Sequence, residues 1–283
     1  MVGLRSPTHL RHPATRTRIC GKGLEAQLAI HLLNCFTCNL RLSRRWKSGT
    51  LCLLGETNQG LVLVDTGIGT EDYQRPPAVL RLFQLITVVP LDREEAAVRQ
   101  VARLGYRPDE VRHIVLTHMH FDHCGGLPDF PHAKVHVNHR EHEAFFGRPR
   151  RWADFGYVRR HAAHRPDFVL HHETGEHWFD LEAIRLPFEP QIWMVPLYGH
   201  TRGHSGVAIQ TDEGWLFHVA DSAAIELTPR TPEWLVRLFM GPHQPRLRRF
   251  AAAHPEVRLT TGHMWLSSFQ QPLRSPENPE APA

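Results

Sequence analysis

The stretch Thr117-His118-Met119-His120-Phe121-Asp122-His123-Cys124-Gly125-Gly126 puts four residues of metal-ligand type into the six positions 118–123. It follows Ile114-Val115-Leu116, a short apolar run with the length and composition of a buried strand. Polar side chains at a strand's carboxyl end can converge without breaking a core. In an extended backbone His118 and His120 project to the same side, so both imidazoles can reach one ion. Asp122 and His123 lie past the turn and can face a second ion, and Gly125-Gly126 permits a tight path beside it. Imidazole nitrogen and carboxylate oxygen together suit a borderline-soft divalent ion such as zinc, and the same donors accept iron, manganese or cobalt.

One cluster cannot complete two coordination shells. Three further segments follow strand-like runs: Gly199-His200-Thr201-Arg202-Gly203-His204 after Ile192–Leu197, Asp221 after Trp215–Ala220, and His263 after Val257–Thr260. Each alone reads as a cap or turn residue. Together they place ligands at equivalent strand ends.

With Asp65-Thr66-Gly67, these segments make five motifs in order across residues 65–263. On them the chain resembles the metallo-β-lactamase-fold hydrolase superfamily. The resemblance implies a four-layer αββα sandwich, an α/β (α+β) fold of two mixed sheets flanked by helices. It implies two divalent ions, with zinc expected. His118, His120 and His200 would hold the first, Asp122, His123 and His263 the second, and Asp221 would bridge them. Asp65 would orient the site without ligating, and His204 matches a structural position outside the ligand set. Asp122 and Asp221 are the candidate catalytic carboxylates, Asp122 as a proton acceptor. In such proteins two ions roughly 3.5–4 Å apart hold a hydroxide that attacks the substrate.

Asp221 narrows the class, because β-lactamases of this fold typically lack the bridging carboxylate. The run from His118 to Leu127, Val135-His136-Val137, the helix Glu141–Phe146 and Asp221-Ser222-Ala223 most resemble the N-acyl-homoserine-lactone lactonases. Hydrolysis of a lactone or carboxylic ester is therefore the expected activity. Phosphotriester, phosphodiester or glutathione-thioester hydrolysis on the same site is the alternative. Those lactonases often carry a Tyr three residues after the bridging Asp, where this chain has Ala224. Tyr157 and Tyr198 are the remaining candidate donors to the substrate carbonyl.

The rest of the chain is consistent with a soluble enzyme. It has 283 residues, 41% apolar and 22% charged, which suffices for a sizeable core and is not a disordered composition. The formal charge of +4 is mild for this length and does not argue for nucleic acid. The Arg groups at 148–151, 159–160 and 246–249 read as solvated faces. The longest greasy stretch, Val79 to Leu91, is broken by Arg81, Gln84 and Pro90, so no membrane span is expected. It could form a lid or a homodimer contact. A cytoplasmic location and a small-molecule substrate with an apolar acyl or aryl part are expected, with Phe121, Phe145, Phe146, Trp152, Phe155 and Trp265 near the motifs. Cys20, Cys35, Cys38, Cys52 and Cys124 are too sparse for a disulfide framework, and the lone Cys35-x-x-Cys38 reads as two thiols. The 22 histidines raise a metal-enzyme prior without identifying ligands.

Residues 1–24 are Arg-rich and acid-poor and are expected to be a disordered leader. Residues 25–270 are expected to form one catalytic domain, and 271–283 a Pro-rich tail. Within the domain, Gln27–Leu33, Leu51–Glu56, Leu61–Val64, Lys134–Val137, Ile184–Leu186, Ile192–Val195, Val207–Gln210, Trp215–Val219 and Val257–Thr260 read as strands. Asn58-Gln59-Gly60 reads as a hairpin turn. Asp92-x-x-Glu95 reads as a helix start running to Gly105. Residues 140–146, 148–164 and 234–250 read as helices.

Overall fold

The computed structural model describes residues 30–40, 47–149, 151–223 and 233–265. The expected leader (1–24), the tail (271–283), Cys20, Ala224 and the side chain of Trp265 lie outside the described residues. In chain order the strands are β1 (His31–Leu40), β2 (Lys47–Thr57), β3 (Gly60–Val64), β4 (Thr87–Val88), β5 (Val111–Val115), β6 (Lys134–Asn138) and β7 (Asp167–His171). There follow the short pair β8 (His177–Trp178) and β9 (Leu181–Glu182), then β10 (Ile184–Arg185), β11 (Ile192–Pro196), β12 (Ser205–Thr211), β13 (Gly214–His218), β14 (Val257–Thr260) and β15 (His263–Trp265). The helices are α1 (Thr70–Gln74), α2 (Ala78–Phe83), α3 (Ala97–Arg103), α4 (Phe121–Cys124), α5 (His139–Phe146), α6 (Glu233–Met240) and α7 (Gln244–Ala253).

Two mixed sheets result. The larger runs β4-β1-β2-β3-β5-β6-β7, with β15 also paired to β2. Its β1, β2 and β3 are antiparallel neighbours, and Thr57 pairs with Gly60, so the hairpin expected at Asn58-Gln59-Gly60 turns on Asn58-Gln59 alone, with Gly60 already in β3. From β3 through β5 and β6 to β7 the pairing is parallel. The smaller sheet runs β10-β11-β12-β13-β14, antiparallel until the parallel pair β13–β14.

The layers follow from side-chain alternation along the strands. Leu51, Leu53, Val62, Val64 and Val115 of the large sheet meet Ile192, Met194, Val207, Ile209 and Leu216 of the small one in the central core. The opposite faces bury against helices. Cys52, Leu54, Leu63, Ile114 and Val135 pack with Val101 of α3 and Phe145 of α5. Val195, Ala208 and Phe217 pack with Leu247 and Phe250 of α7. This is the expected αββα sandwich.

Two helix expectations are corrected. Residues 148–164 do not form one helix but two 3-10 turns, Trp152–Gly156 and Arg159–Ala162. Residues 234–250 split into α6 and α7 at Gly241, whose φ of +87° no helix accommodates, followed by Pro242, which lacks a donor. Asp92 does cap a turn, but that turn is the 3-10 segment Arg93–Glu95, and α3 begins after Ala96. Cys35, Cys38, Cys52 and Cys124 are free thiols. Part of the histidine surplus is structural: His113 Nδ1 lies 3.0 Å from His136 Nε2, and His136 Nδ1 lies 2.9 Å from His171 Nε2, a row across β5, β6 and β7. No helix among the described residues is long and apolar enough to cross a membrane.

Candidate metal centre

Parallel neighbours release their carboxyl ends together, β3 and β5 in the large sheet and β13 and β14 in the small one, and four site segments start at these ends. Asp65 follows β3, Thr117-His118 follows β5, Asp221 follows β13 and His263 follows β14. The edge is joined across the sandwich by Ser205 N–H donating to Thr117 O at 2.9 Å. Pairing of β15 with β2, Thr50 opposite His263, returns the chain from the small sheet to the large one and sets His263 over the site. Asp122 and His123 sit on α4, a single turn directly after His120.

The structure brings all seven predicted ligands together. Three groups share members: His118, His120 and His200; His118, His123 and Asp221; Asp122, His123 and His263. Within each group the donor atoms lie within 4.8 Å of one another. Asp221 stands between the outer groups, with Oδ2 3.5 Å from His200 Nε2 and 3.3 Å from His263 Nε2. Asp122 Oδ2 is 3.5 Å from His263 Nε2.

Each imidazole is anchored by the nitrogen that faces away from the centre. His120 Nε2–H donates to Ala153 O at 2.9 Å, which turns Nδ1 inward. His200 Nδ1–H donates to Phe239 O at 2.6 Å, and its Nε2 lies 3.1 Å from His120 Nδ1. His118 Nδ1 lies 3.1 Å from Thr117 Oγ1, and His263 Nδ1 3.4 Å from Thr50 Oγ1. Asp65, fully buried, binds His123 Nδ1–H at 2.8 Å. It also accepts the Thr117 N–H at 2.8 Å and hydroxyl at 2.7 Å. Both carboxylate oxygens of Asp65 are thus engaged by Thr117 and His123. His204 accepts the Asp221 N–H at Nε2, 3.2 Å away, and holds the bridge candidate from behind.

A divalent cation fits this donor set. His118 Nε2 is a buried polar atom without a hydrogen-bond partner, a state that costs about 1–3 kcal/mol unless something binds it, and His123 Nε2 and Asp221 Oδ1 face each other at 3.6 Å without closing a hydrogen bond. Burial lowers the pKa of His118, His120 and His200 and keeps their lone pairs free. At His123 burial acts the same way, but Asp221, Asp65 and Asp122 outweigh it and raise the pKa well above the ordinary value. Three carboxylates thus favour positive charge at this spot. Burial opposes ionisation of Asp221 too, yet His263 and His123 hold its carboxyl well below the usual range.

The two tyrosines considered as carbonyl donors are committed elsewhere. Tyr157 OH donates to Glu141 Oε1 at 3.0 Å, and Tyr198 OH donates to Glu173. Among the apolar candidates, Phe145 is core and Phe121 is buried, whereas Trp152, Phe155 and Phe146 are exposed. Trp152 packs edge-on against Phe239 at 5.2 Å between centroids, and Phe239 supplies the carbonyl that anchors His200. Sequence spacing gave no sign of Phe239 or of Ala153, because their roles run through backbone carbonyls. It also missed Glu141, which is fully buried and accepts four hydrogen bonds.

A sandwich of two mixed sheets with histidines and carboxylates gathered at one edge is the architecture of one large class of proteins. The model of the metallo-beta-lactamase superfamily matches residues 46–263, and the chain belongs to that superfamily. It is 36% identical over 246 residues to a probable metallo-hydrolase of Mycobacterium tuberculosis, covering 78% of this chain and 77% of that one. It is 27% identical over 165 residues to an N-acyl homoserine lactonase of Bacillus thuringiensis, covering 57% of this chain and 58% of that one. A solved N-acyl homoserine lactone hydrolase, with N-hexanoyl-L-homoserine bound at its catalytic metal center, superimposes with a TM-score of 0.62 at 20% identity. The match covers 85% of this chain and 94% of that one.

Proposed function

We propose that the chain is a binuclear metal-dependent hydrolase of lactones or related carboxylic esters. The observation that carries the reading is the position of Asp221 between two sets of inward-facing donors. His118, His120 and His200 would hold one ion, Asp122, His123 and His263 the other, and Asp221 would touch both. Two divalent ions so held, zinc being the best match to the donors, supply Lewis acidity toward the carbonyl and a water acidic enough to attack at neutral pH.

The chain's own groups do the rest. In lactone hydrolysis a water oxygen bonds to the carbonyl carbon and the ring C–O bond breaks. One water proton passes to the departing ring oxygen, and the other is lost as the acid ionises. Asp122, whose carboxylate lies 3.5 Å from His263, would carry the first of these protons. Exposed Trp152 packs edge-on against Phe239, whose carbonyl anchors His200, and this apolar pair would receive an acyl or aryl group. The bound product and lactone substrates named for the relatives agree with such a pair.

A second reading keeps the site and changes the bond to a phosphotriester, phosphodiester or glutathione thioester. It is favoured by the commitment of the Tyr157 and Tyr198 hydroxyls to carboxylates, which leaves neither free for a lactone carbonyl. A parallel panel on metal-analysed protein tests both, with His120→Ala and Asp122→Ala as controls. Turnover of acyl lactones well above the controls supports the first reading. Aryl phosphotriester or thioester rates far above lactone rates would replace it with the second.

A further inference from the structure

Glu141 lies in the first turn of α5, outside every ligand group, and its side chain is fully buried. Burial pushes its carboxyl upward, and four hydrogen bonds pull it back. Oε1 accepts the Met119 N–H at 2.9 Å and the Tyr157 hydroxyl at 3.0 Å. Oε2 accepts the Thr201 hydroxyl at 2.7 Å and the Gly203 N–H at 3.0 Å. Met119 sits between His118 and His120. Thr201 follows His200, and Tyr157 forms an isolated bridge with His120. One carboxylate therefore ties together the separate segments that carry His118, His120 and His200. The approach is close: a Cβ on Gly203 would overlap the Glu141 backbone nitrogen and stand 2.5 Å from its Cα. The second glycine of the G-H-T-x-G-H segment is thereby explained.

We propose that Glu141 is a positioning residue that sets the spacing of His118, His120 and His200 for a divalent cation. The inference rests on the reading of these three as cation ligands. Its chemistry is specific to a carboxylate, because each oxygen faces one main-chain N–H. A glutamine of the same shape must turn its NH2 toward one of them, donor against donor. E141Q therefore loosens either the His118–His120 loop or the loop after His200, without a large change in volume.

The test is cobalt(II) titration of chelator-stripped protein, reading bound equivalents and visible ligand-field absorption. Circular dichroism and melting of the metal-free forms monitor folding. E141Q is expected to keep the wild-type circular dichroism and to bind the first cobalt about 10–100-fold more weakly, with altered bands. Thr201→Val removes one hydroxyl donor and leaves both main-chain bonds. It is expected to fall between the two, and it carries the test if E141Q does not fold. Folded E141Q, or Thr201→Val in its place, with wild-type affinity and spectrum overturns the positioning role. A wild-type protein that takes up no cobalt overturns the ligand reading itself, so the two failures are distinguishable.

Discussion

Asp65 and His123, 58 residues apart, meet with Oδ2 2.8 Å from Nδ1, both side chains fully buried. The contact fixes which nitrogen of His123 faces the centre, and the same carboxylate holds Thr117 next to His118. Asp65→Asn leaves too few acceptor sites for these three donors. It is expected to weaken one metal equivalent about 10–100-fold while the fold persists. Elemental analysis after dialysis against a graded chelator reads this directly. Two equivalents retained at wild-type strength would count against the orienting role.

Gly156 leaves room for the ring of His120: a Cβ there would stand 2.5 Å from Cδ2 and 2.8 Å from Nε2. Gly156→Ala must displace the ring or the turn that carries Ala153 O. An overpacking cost of about 1–3 kcal/mol is expected. Because the strain falls on a proposed ligand, hydrolysis and metal content should drop further than the melting temperature. Activity unchanged beside a lowered melting temperature is the opposite result.

The Trp152–Phe239 pair predicts a chain-length effect. Each buried methylene contributes about 0.8 kcal/mol, about a fourfold step in KM. Trp152→Ala should flatten the dependence of KM on acyl length and leave kcat for the shortest substrate near wild type. Equal KM changes for short and long acyl chains would place the apolar part of the substrate elsewhere.

His136 gives a pH prediction. Burial, then the neighbouring His171, His113 and Lys134, lower its pKa to about 3. Unfolded, it titrates near 6.5. Between these values the unfolded chain binds a proton that the folded one refuses, so stability is full above about 6.5 and declines as pH falls toward 3. His113 and His171 are lowered too and act in the same direction. Urea unfolding of metal-free protein from pH 7 to 4 should show a slope that His136→Gln reduces by up to about 1.4 kcal/mol per pH unit. Parallel slopes for the two proteins would contradict this.

The clustering of candidate ligands at 118–123, 200, 221 and 263 was legible because metal chemistry demands those side chain types at strand ends. The β3 and β14 strands were legible as compact apolar runs. Other features left no such mark. Ala153 and Phe239 act through carbonyls that any residue possesses. Glu141 reads as an ordinary position in a short helix, since its partners come from three loops distant in sequence. Residues 148–164 carried aromatic spacing like a helix, but the backbone makes two 3-10 turns that present Ala153 O to His120. At 234–250 the apolar pattern continued through Gly241-Pro242, where the backbone does not.

The turn Trp152–Gly156 and the following Tyr157 serve two masters. Trp152 and Phe155 offer apolar surface, while Ala153, Gly156 and Tyr157 brace His120 and Glu141. Changes that move the backbone of this segment for a new substrate will perturb ion retention in the same step, unlike exchange of the exposed Trp152 side chain alone. Changes in preference should therefore be acquired more readily by exchanging the exposed side chains of Trp152 and Phe239, which leaves the carbonyls of Ala153 and Phe239 in place to anchor His120 and His200.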